Sequence, residues 1–155
     1  VGYDYKSPLI WYEVPGNTNG KMSQKVYLET VLEGFVKPCL MKTFEDLSRP
    51  LVLEEDGDSG HGPGKDNPVR AWKEKHGLQY FFNCPQSPDL SPIENCWLAT
   101  KEALRQRPHW DEDTVKQLAE EGWLALSQET INAWIESMPH RLHHVIQLSG
   151  KRTAW

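Results

Sequence analysis

Three observations predict an α/β fold. The short apolar run Leu51-Val-Leu53 ends in acids and a glycine-rich stretch, a strand, helix, strand order fits within about thirty residues of it, and the carboxyl-terminal third carries helical periodicity. A strand, helix, strand succession this short predicts a parallel crossover unit, which places loops and ligands at the carboxyl ends of its strands.

Composition narrows the class. A chain of 155 residues with 38% hydrophobic content can bury one core but is short for two ordinary domains, so a single domain over 1–155 is expected, with 109–155 as a helical extension. The net charge of -5 excludes a module that holds nucleic acid by bulk positive charge, so any DNA contact must be local. Cys39, Cys84 and Cys96 are odd in number and lack CxxC spacing, which points away from a disulfide framework or a zinc finger and toward a reducing, intracellular setting. No run approaches the ~18 apolar residues of a membrane span, and no secretory pattern opens the chain. A start at Val1 rather than Met reads as an amino-terminally incomplete chain.

The elements follow in order. After the turn-rich Gly2 to Pro8, Leu9-Ile-Trp-Tyr12 reads as a strand entered from a hairpin, and Pro15 to Gly20 as a loop. Ser23 is placed to cap a helix whose apolar positions Tyr27, Leu28, Val31, Leu32 and Phe35 recur at helical spacing, weakening at Pro38. Leu51-Val-Leu53 is a strand and Gly57 to Gly64 a loop beyond its end. Asn67 caps the next helix, Pro68 suits its first position, Val69 and Trp72 face inward and Gly77 stops it before the strand Leu78 to Phe82. Ser91-Pro-Ile-Glu94 announces another helix, with Ile93, Trp97, Thr100 and Leu104 expected on its buried side. Asp113 to Leu126, Gln128 to Met138 and Arg141 to Leu148 complete a helical end. Trp72, Trp97, Trp123 and Trp134 fall on apolar faces and are expected in the core.

Two segments carry candidate chemistry. Asp56-Gly-Asp-Ser-Gly-His61 sets an acid past a buried strand, and Ser87-Pro-Asp-Leu-Ser-Pro-Ile-Glu94-Asn-Cys-Trp97 sets a second acid in the first turn of a helix. Two carboxylates brought close together repel, and divalent cations remove that cost. These segments resemble the catalytic domain of mariner-superfamily transposases. In that family an apolar strand leads to an acid followed five positions later by a histidine, as with Asp56 and His61, and a further acid sits in Ser-Pro-Asp-Leu-x-Pro-Ile-Glu-Asn-x-Trp, matched from Ser87 to Trp97. Glu94 lies 38 positions after Asp56, within the family range. Ser137-Met-Pro-His-Arg-Leu142, with Val145, Ile146 and Gly150, is similar to the family's closing helix.

The resemblance implies a ribonuclease H-like mixed sheet flanked by helices, here lacking the first strand. It implies a DDE endonuclease that hydrolyses transposon ends and joins them to target DNA, using Mg²⁺ or Mn²⁺ in a two-metal site with ions roughly 4 Å apart. Asp56 and Glu94 would be catalytic metal ligands. From the residues themselves, His61 reads equally as a phosphate or water contact and as a polar loop residue, and Arg141, Lys151 and Arg152 read as a basic tail that either meets DNA phosphates or, the favoured reading, is a solvated end. A homodimer of the full protein and a nuclear location in a eukaryote, otherwise cytoplasmic, follow from the same likeness. The family's first acid lies upstream of Val1, and Asp4, in a predicted turn, is a poor substitute, so the fragment alone is expected to be inactive. Gly57-Asp58-Ser59-Gly60 also departs from the relatives' Asn-Ala-Pro.

Other readings stay open at this level. Glu94 occupies a capping-box position, where it would only reach back to Ser91. Asp58 competes for a cation, Glu54 and Glu55 alternate to opposite faces as structural or solvated acids, and His140, His143 and His144 make a polar helix face without zinc-ligand spacing. A truncated, inactive remnant that at most binds nucleic acid is the main alternative, and another phosphodiesterase on the same fold is a third.

Overall fold

The computed structural model describes all residues except 15, 17–19, 47–50, 62–66, 109–110 and 154–155, together with the side chains of 43–46. Parts of the loops expected at 15–20 and 57–64, and both ends of the expected 109–155 extension, lie outside the described residues. Two compact units emerge, Ile10–Pro85 and Val1–Leu9 joined with Gln86–Trp155.

In the first unit, Ser23 caps α1 (Gln24–Val26) by accepting the Val26 N–H at 3.2 Å. The helix continues as a π-helical segment, Tyr27–Val36, and as α2 (Lys37–Asp46). The weakening expected at Pro38 is therefore corrected. In an α-helix proline crowds the carbonyl four residues back, whereas the wider turn before it, in which the Lys37 N–H reaches the Leu32 carbonyl, leaves that ring room. The next strand, β1 (Val52–Glu55), pairs in parallel with β2 (Gln79–Phe82), Val52 opposite Gln79 and Glu55 opposite Phe82.

Between the strands runs α3 (Pro68–Lys75). The Asn67 side chain accepts the Arg70 N–H at 2.7 Å, Pro68 opens the helix, and Gly77 closes it at φ +63°, a left-handed turn that favours glycine. The crossover unit is thus present as predicted. Its core gathers Tyr27, Leu32, Leu40, Val69, Trp72 and Leu78.

Leu9–Tyr12 forms no strand, which corrects the expectation. A strand exists through its ladder, and the ladder among the described residues is the β1–β2 pair, with one isolated bridge between Gly2 and Tyr5.

The second unit holds a 3-10 turn at Pro88–Leu90, then α4 (Pro92–Arg105), α5 (Glu112–Ala125), α6 (Gln128–Glu136) and α7 (Met138–Gln147). Asp111 and Ser127 cap α5 and α6 through their side chains. The amino-terminal residues 1–9 are tied down here. Lys6 Nζ donates to the carbonyls of Trp123 at 3.0 Å and Leu126 at 2.5 Å, and the Trp123 indole N–H donates to the Ser7 carbonyl at 2.8 Å.

Cys96, Trp123, Leu126 and Ile131 make the core of this unit. The buried stripe of α4 is rotated from the one expected: Cys96 and Thr100 are buried, while Trp97 is 36% exposed and rests its ring 5.3 Å from that of Trp123. The cause is Gly122 on α5. A Cβ there would stand 3.0 Å from the Ala103 Cβ, so the glycine draws the Cys96, Thr100, Ala103 side of α4 inward. Trp72 and Trp123 are core as expected, and Trp134 is half-buried against the same cluster.

Candidate metal centre

Asp56 follows the last residue of β1, where a parallel strand delivers its loop. Its side chain is 73% exposed, and its Oδ1 stands 2.6 Å from His61 Nδ1 and accepts the Asp58 N–H at 3.1 Å. His61 is brought back by a 3-10 turn, Ser59–His61, whose start is braced by Asp58 Oδ1 accepting the Gly60 N–H at 2.7 Å. Asp58 is thereby engaged in building the turn, with Lys21 4.0 Å from its other oxygen. Gly60 suits this point, since a Cβ would crowd the Met22 carbonyl oxygen at 3.0 Å.

Beneath the turn lies a network centred on Glu55, one of the two acids expected to be structural or solvated. Glu55 is buried, with Oε1 accepting from the Tyr27 hydroxyl and Oε2 paired with the buried Lys73 ammonium. Lys73 also donates to the His61 carbonyl at 3.1 Å, and the Tyr27 and His61 rings lie 4.5 Å apart. Burial and the Glu55 carboxylate both push the Tyr27 phenol far above its ordinary pKa. The signal in the sequence was slight: a lysine one position after Trp72, on the inward face of α3.

In the other unit, Glu94 stands in the first turn of α4, exposed. The Ser91 side chain makes no capping bond, and only its carbonyl receives the Glu94 N–H, at 3.1 Å. The capping box is not formed, and Glu94 lines a cavity of about 220 Å³ together with Asp89, Trp97, Lys101 and Arg152.

The segment ahead of Glu94 is pinned from two sides. Asp89 is buried, and its Oδ2 accepts both the N–H and the hydroxyl of Thr153 at 2.7 Å. Burial alone would raise the Asp89 carboxyl, but the Thr153 bonds outweigh it and hold it below its ordinary value. Arg141 donates to the Asp89 carbonyl at 3.0 Å, to Asn95 Oδ1 at 2.9 Å and to Ser137 Oγ at 2.8 Å. It therefore joins the 3-10 turn, α4 and α7.

This placement corrects the expectation that Arg141 lies on a solvated tail against DNA. Its guanidinium is buried and committed to protein acceptors. Lys151 and Arg152 are exposed, as DNA contacts require. Asp4 sits at φ +57° in the turn between Gly2 and Tyr5, its carboxylate receiving the Asn132 amide at 2.7 Å. His140 and His143 are exposed along α7, and the polar-face expectation holds for them.

Asp56 and His61 are thus brought together, while Glu94 belongs to the other unit. Among the described residues no three His, Cys, Asp or Glu side chains are grouped to hold a metal ion. The available donors nonetheless fit a hard divalent cation. The Asp56 contacts to His61 and Asp58 both use Oδ1, and Glu94 lines an open cavity. No described helix is long and apolar enough to cross a membrane.

Comparison with known proteins gives the relatives and the fold. No family model matches the chain. Among curated relatives, the Tc1 transposase of Caenorhabditis elegans is 28% identical over 127 residues, covering 82% of this chain and 44% of the relative. The Tcb1 transposase of Caenorhabditis briggsae is 28% identical over 136 residues, covering 88% and 47%. The chain spans about half the length of these relatives. Among solved structures, the catalytic domain of Mos1 mariner transposase superposes with a TM-score of 0.74 at 20% identity, over 95% of this chain and 71% of that one. The Mos1 catalytic domain with raltegravir and Mn gives 0.73 at the same identity, over 95% and 72%. The homologues of this chain are therefore Tc1/mariner transposases, and its fold is the ribonuclease H-like fold of a mariner transposase catalytic domain.

Proposed function

We propose that this chain is part of the single catalytic domain of a DDE-type DNA transposase, acting as a divalent-metal-dependent endonuclease and strand transferase on transposon and target DNA. The observation that carries this reading is Asp56: an exposed carboxylate at the carboxyl end of β1, held through Oδ1 by His61, with Oδ2 turned to neither of these partners. The Mos1 structures with Mn and with Mg make divalent cations the natural choice for the group held there. Asp56 and Glu94 would be its ligands, and a bound Mg²⁺ or Mn²⁺ would supply Lewis-acid activation of the attacking and leaving oxygens.

The chain's own residues divide the remaining work. His61 orients Asp56 and keeps Nε2 toward a phosphate or a water, since Nδ1 is spent on the carboxylate. Lys151 and Arg152 lie exposed near the end of the chain, and Arg152 shares the cavity with Glu94, where its guanidinium suits a phosphodiester. We extend the reading to a homodimer of the whole protein, in the nucleus if the source is eukaryotic. Transposase relatives matched over 82% and 88% of this chain make the remnant the less favoured reading.

Calorimetric titration of Mn²⁺ into the wild-type chain, Asp56→Ala and Glu94→Gln tests the assignment. Loss of binding in both variants is expected. Equal binding by all three proteins would remove the metal role from these acids.

A further inference from the structure

The Lys73, Glu55, Tyr27 network poses a physical question. A buried ion pair is seldom more stabilising than apolar residues of similar volume, because desolvating two charges offsets their attraction. This one is nevertheless almost fully withdrawn from water. What distinguishes it is where its bonds go. Glu55 is the residue before Asp56, and its main-chain carbonyl accepts the Asn83 N–H at 2.7 Å, so both its side chain and its backbone are held. Lys73 spends a second donor on the carbonyl of His61 and sits 4.3 Å from the centre of the Tyr80 ring. Tyr27 holds Glu55 through its hydroxyl and rests its ring against the His61 imidazole.

We infer that Lys73, Glu55 and Tyr27 are positioning residues that fix the Asp56–His61 turn from below, setting the angle at which His61 presents Nδ1 to Asp56. One end of the turn is gripped through Glu55 and the other through the His61 carbonyl, so the network spans it. The bonds of these three side chains run to one another and to the His61 carbonyl, so they would act on Asp56 through the turn. The consequence for metal binding rests on the reading of Asp56 as a ligand; the consequence for the turn itself does not. Residues that orient a ligand from behind typically change metal affinity by about 10–100-fold when removed.

The test is the triple variant Tyr27→Phe/Glu55→Met/Lys73→Met, which replaces the network with apolar residues of similar volume and should keep the fold. Two readouts are taken beside the melting temperature: hydrogen exchange at the Gly60 and His61 amides, both bonded to Asp58, and Mn²⁺ affinity alongside Asp56→Ala. We expect a melting temperature close to wild type, exchange at those two amides at least about tenfold faster with α3 and β2 unchanged, and Mn²⁺ binding weakened about tenfold. A purely structural network predicts the opposite, namely a folded variant with wild-type exchange at the turn, and that result overturns the inference. So does wild-type Mn²⁺ affinity in the folded variant while Asp56→Ala has lost binding. Equal Mn²⁺ binding by Asp56→Ala and wild type would instead sink the metal reading and leave the exchange arm to decide the positioning role. If the triple variant does not fold, Tyr27→Phe alone should speed exchange at His61 several-fold, and unchanged exchange there overturns the inference.

Discussion

Replacing Arg141 with methionine should unfold the helical unit far more readily than its place near the end of the chain suggests. Methionine fills most of the stem volume, so the loss is that of the guanidinium. Three acceptors then lack their donor: the Asp89 carbonyl, Asn95 Oδ1 and Ser137 Oγ, at 3.0, 2.9 and 2.8 Å in the wild type. Ser137 can offset part of its loss, because its own hydroxyl donates to the Trp134 carbonyl at 2.6 Å. The Asp89 carbonyl is left buried and Asn95 Oδ1 partly buried, at about 1–3 kcal/mol each. With lost packing of the 3-10 turn against α4, the total is about 3–5 kcal/mol, the range for breaking a buried charged contact. Burial lowers the Arg141 pKa and the Asp89 carboxylate pulls it back up, so neutralising the guanidinium is no escape. Urea unfolding followed by circular dichroism measures the loss. Arg141→Lys should recover only part of it, since lysine has no counterpart of the Nε–H that reaches Ser137 Oγ while the terminal nitrogen serves Asp89 and Asn95. A loss below about 1 kcal/mol in Arg141→Met, typical of a surface change, would refute the reasoning.

Three further outcomes follow from the same structure. Asp89 has a lowered folded pKa, so its contribution is present above its unfolded value of about 3.9 and disappears as pH falls through the folded one. The wild-type melting temperature should therefore drop more steeply than that of Asp89→Asn below about pH 4, and parallel slopes would contradict this. Tyr27 has a raised folded pKa, so its contribution is complete below its unfolded value of about 10 and is lost at higher pH. Wild type should lose stability more steeply than Tyr27→Phe above about pH 10, with one tyrosine ionising only on unfolding by ultraviolet absorbance. Gly122→Val should push α4 and α5 apart and cost about 1–3 kcal/mol by overpacking against Ala103, measured by thermal melting. A neutral result would mean that the glycine does not set that approach.

The local devices of this chain were legible because each is made by neighbours in sequence. Asn67, Pro68 and Gly77 bound α3 through bonds that span four residues or fewer, so residue type and spacing were enough to read it. The parallel β1–β2 pair was legible for a related reason: a strand, a helix and a strand at short separation admit one favoured connection. Asp56 and His61, five positions apart on one turn, were read together and lie together.

What the sequence left undecided depends on partners far along the chain. Helical periodicity on α4 permits a stripe through Trp97 or one through Cys96, and only the close approach allowed by Gly122 selects the second. Leu9–Tyr12 has strand-like composition, but pairing requires a neighbour that composition cannot supply. Arg141 reads as part of a basic end and nothing in the sequence singles out Lys73, since charge alone says solvent. Their acceptors, at Asp89 and Asn95 in one unit and at Glu55 and His61 in the other, become neighbours only when the chain folds. By itself, then, the sequence determined the fold class and the caps at Ser23 and Asn67, and it proposed the acids of the candidate site. Tertiary structure decided which side of α4 is buried and which cations go inside, because a buried charge is tolerable only where distant residues converge to satisfy it.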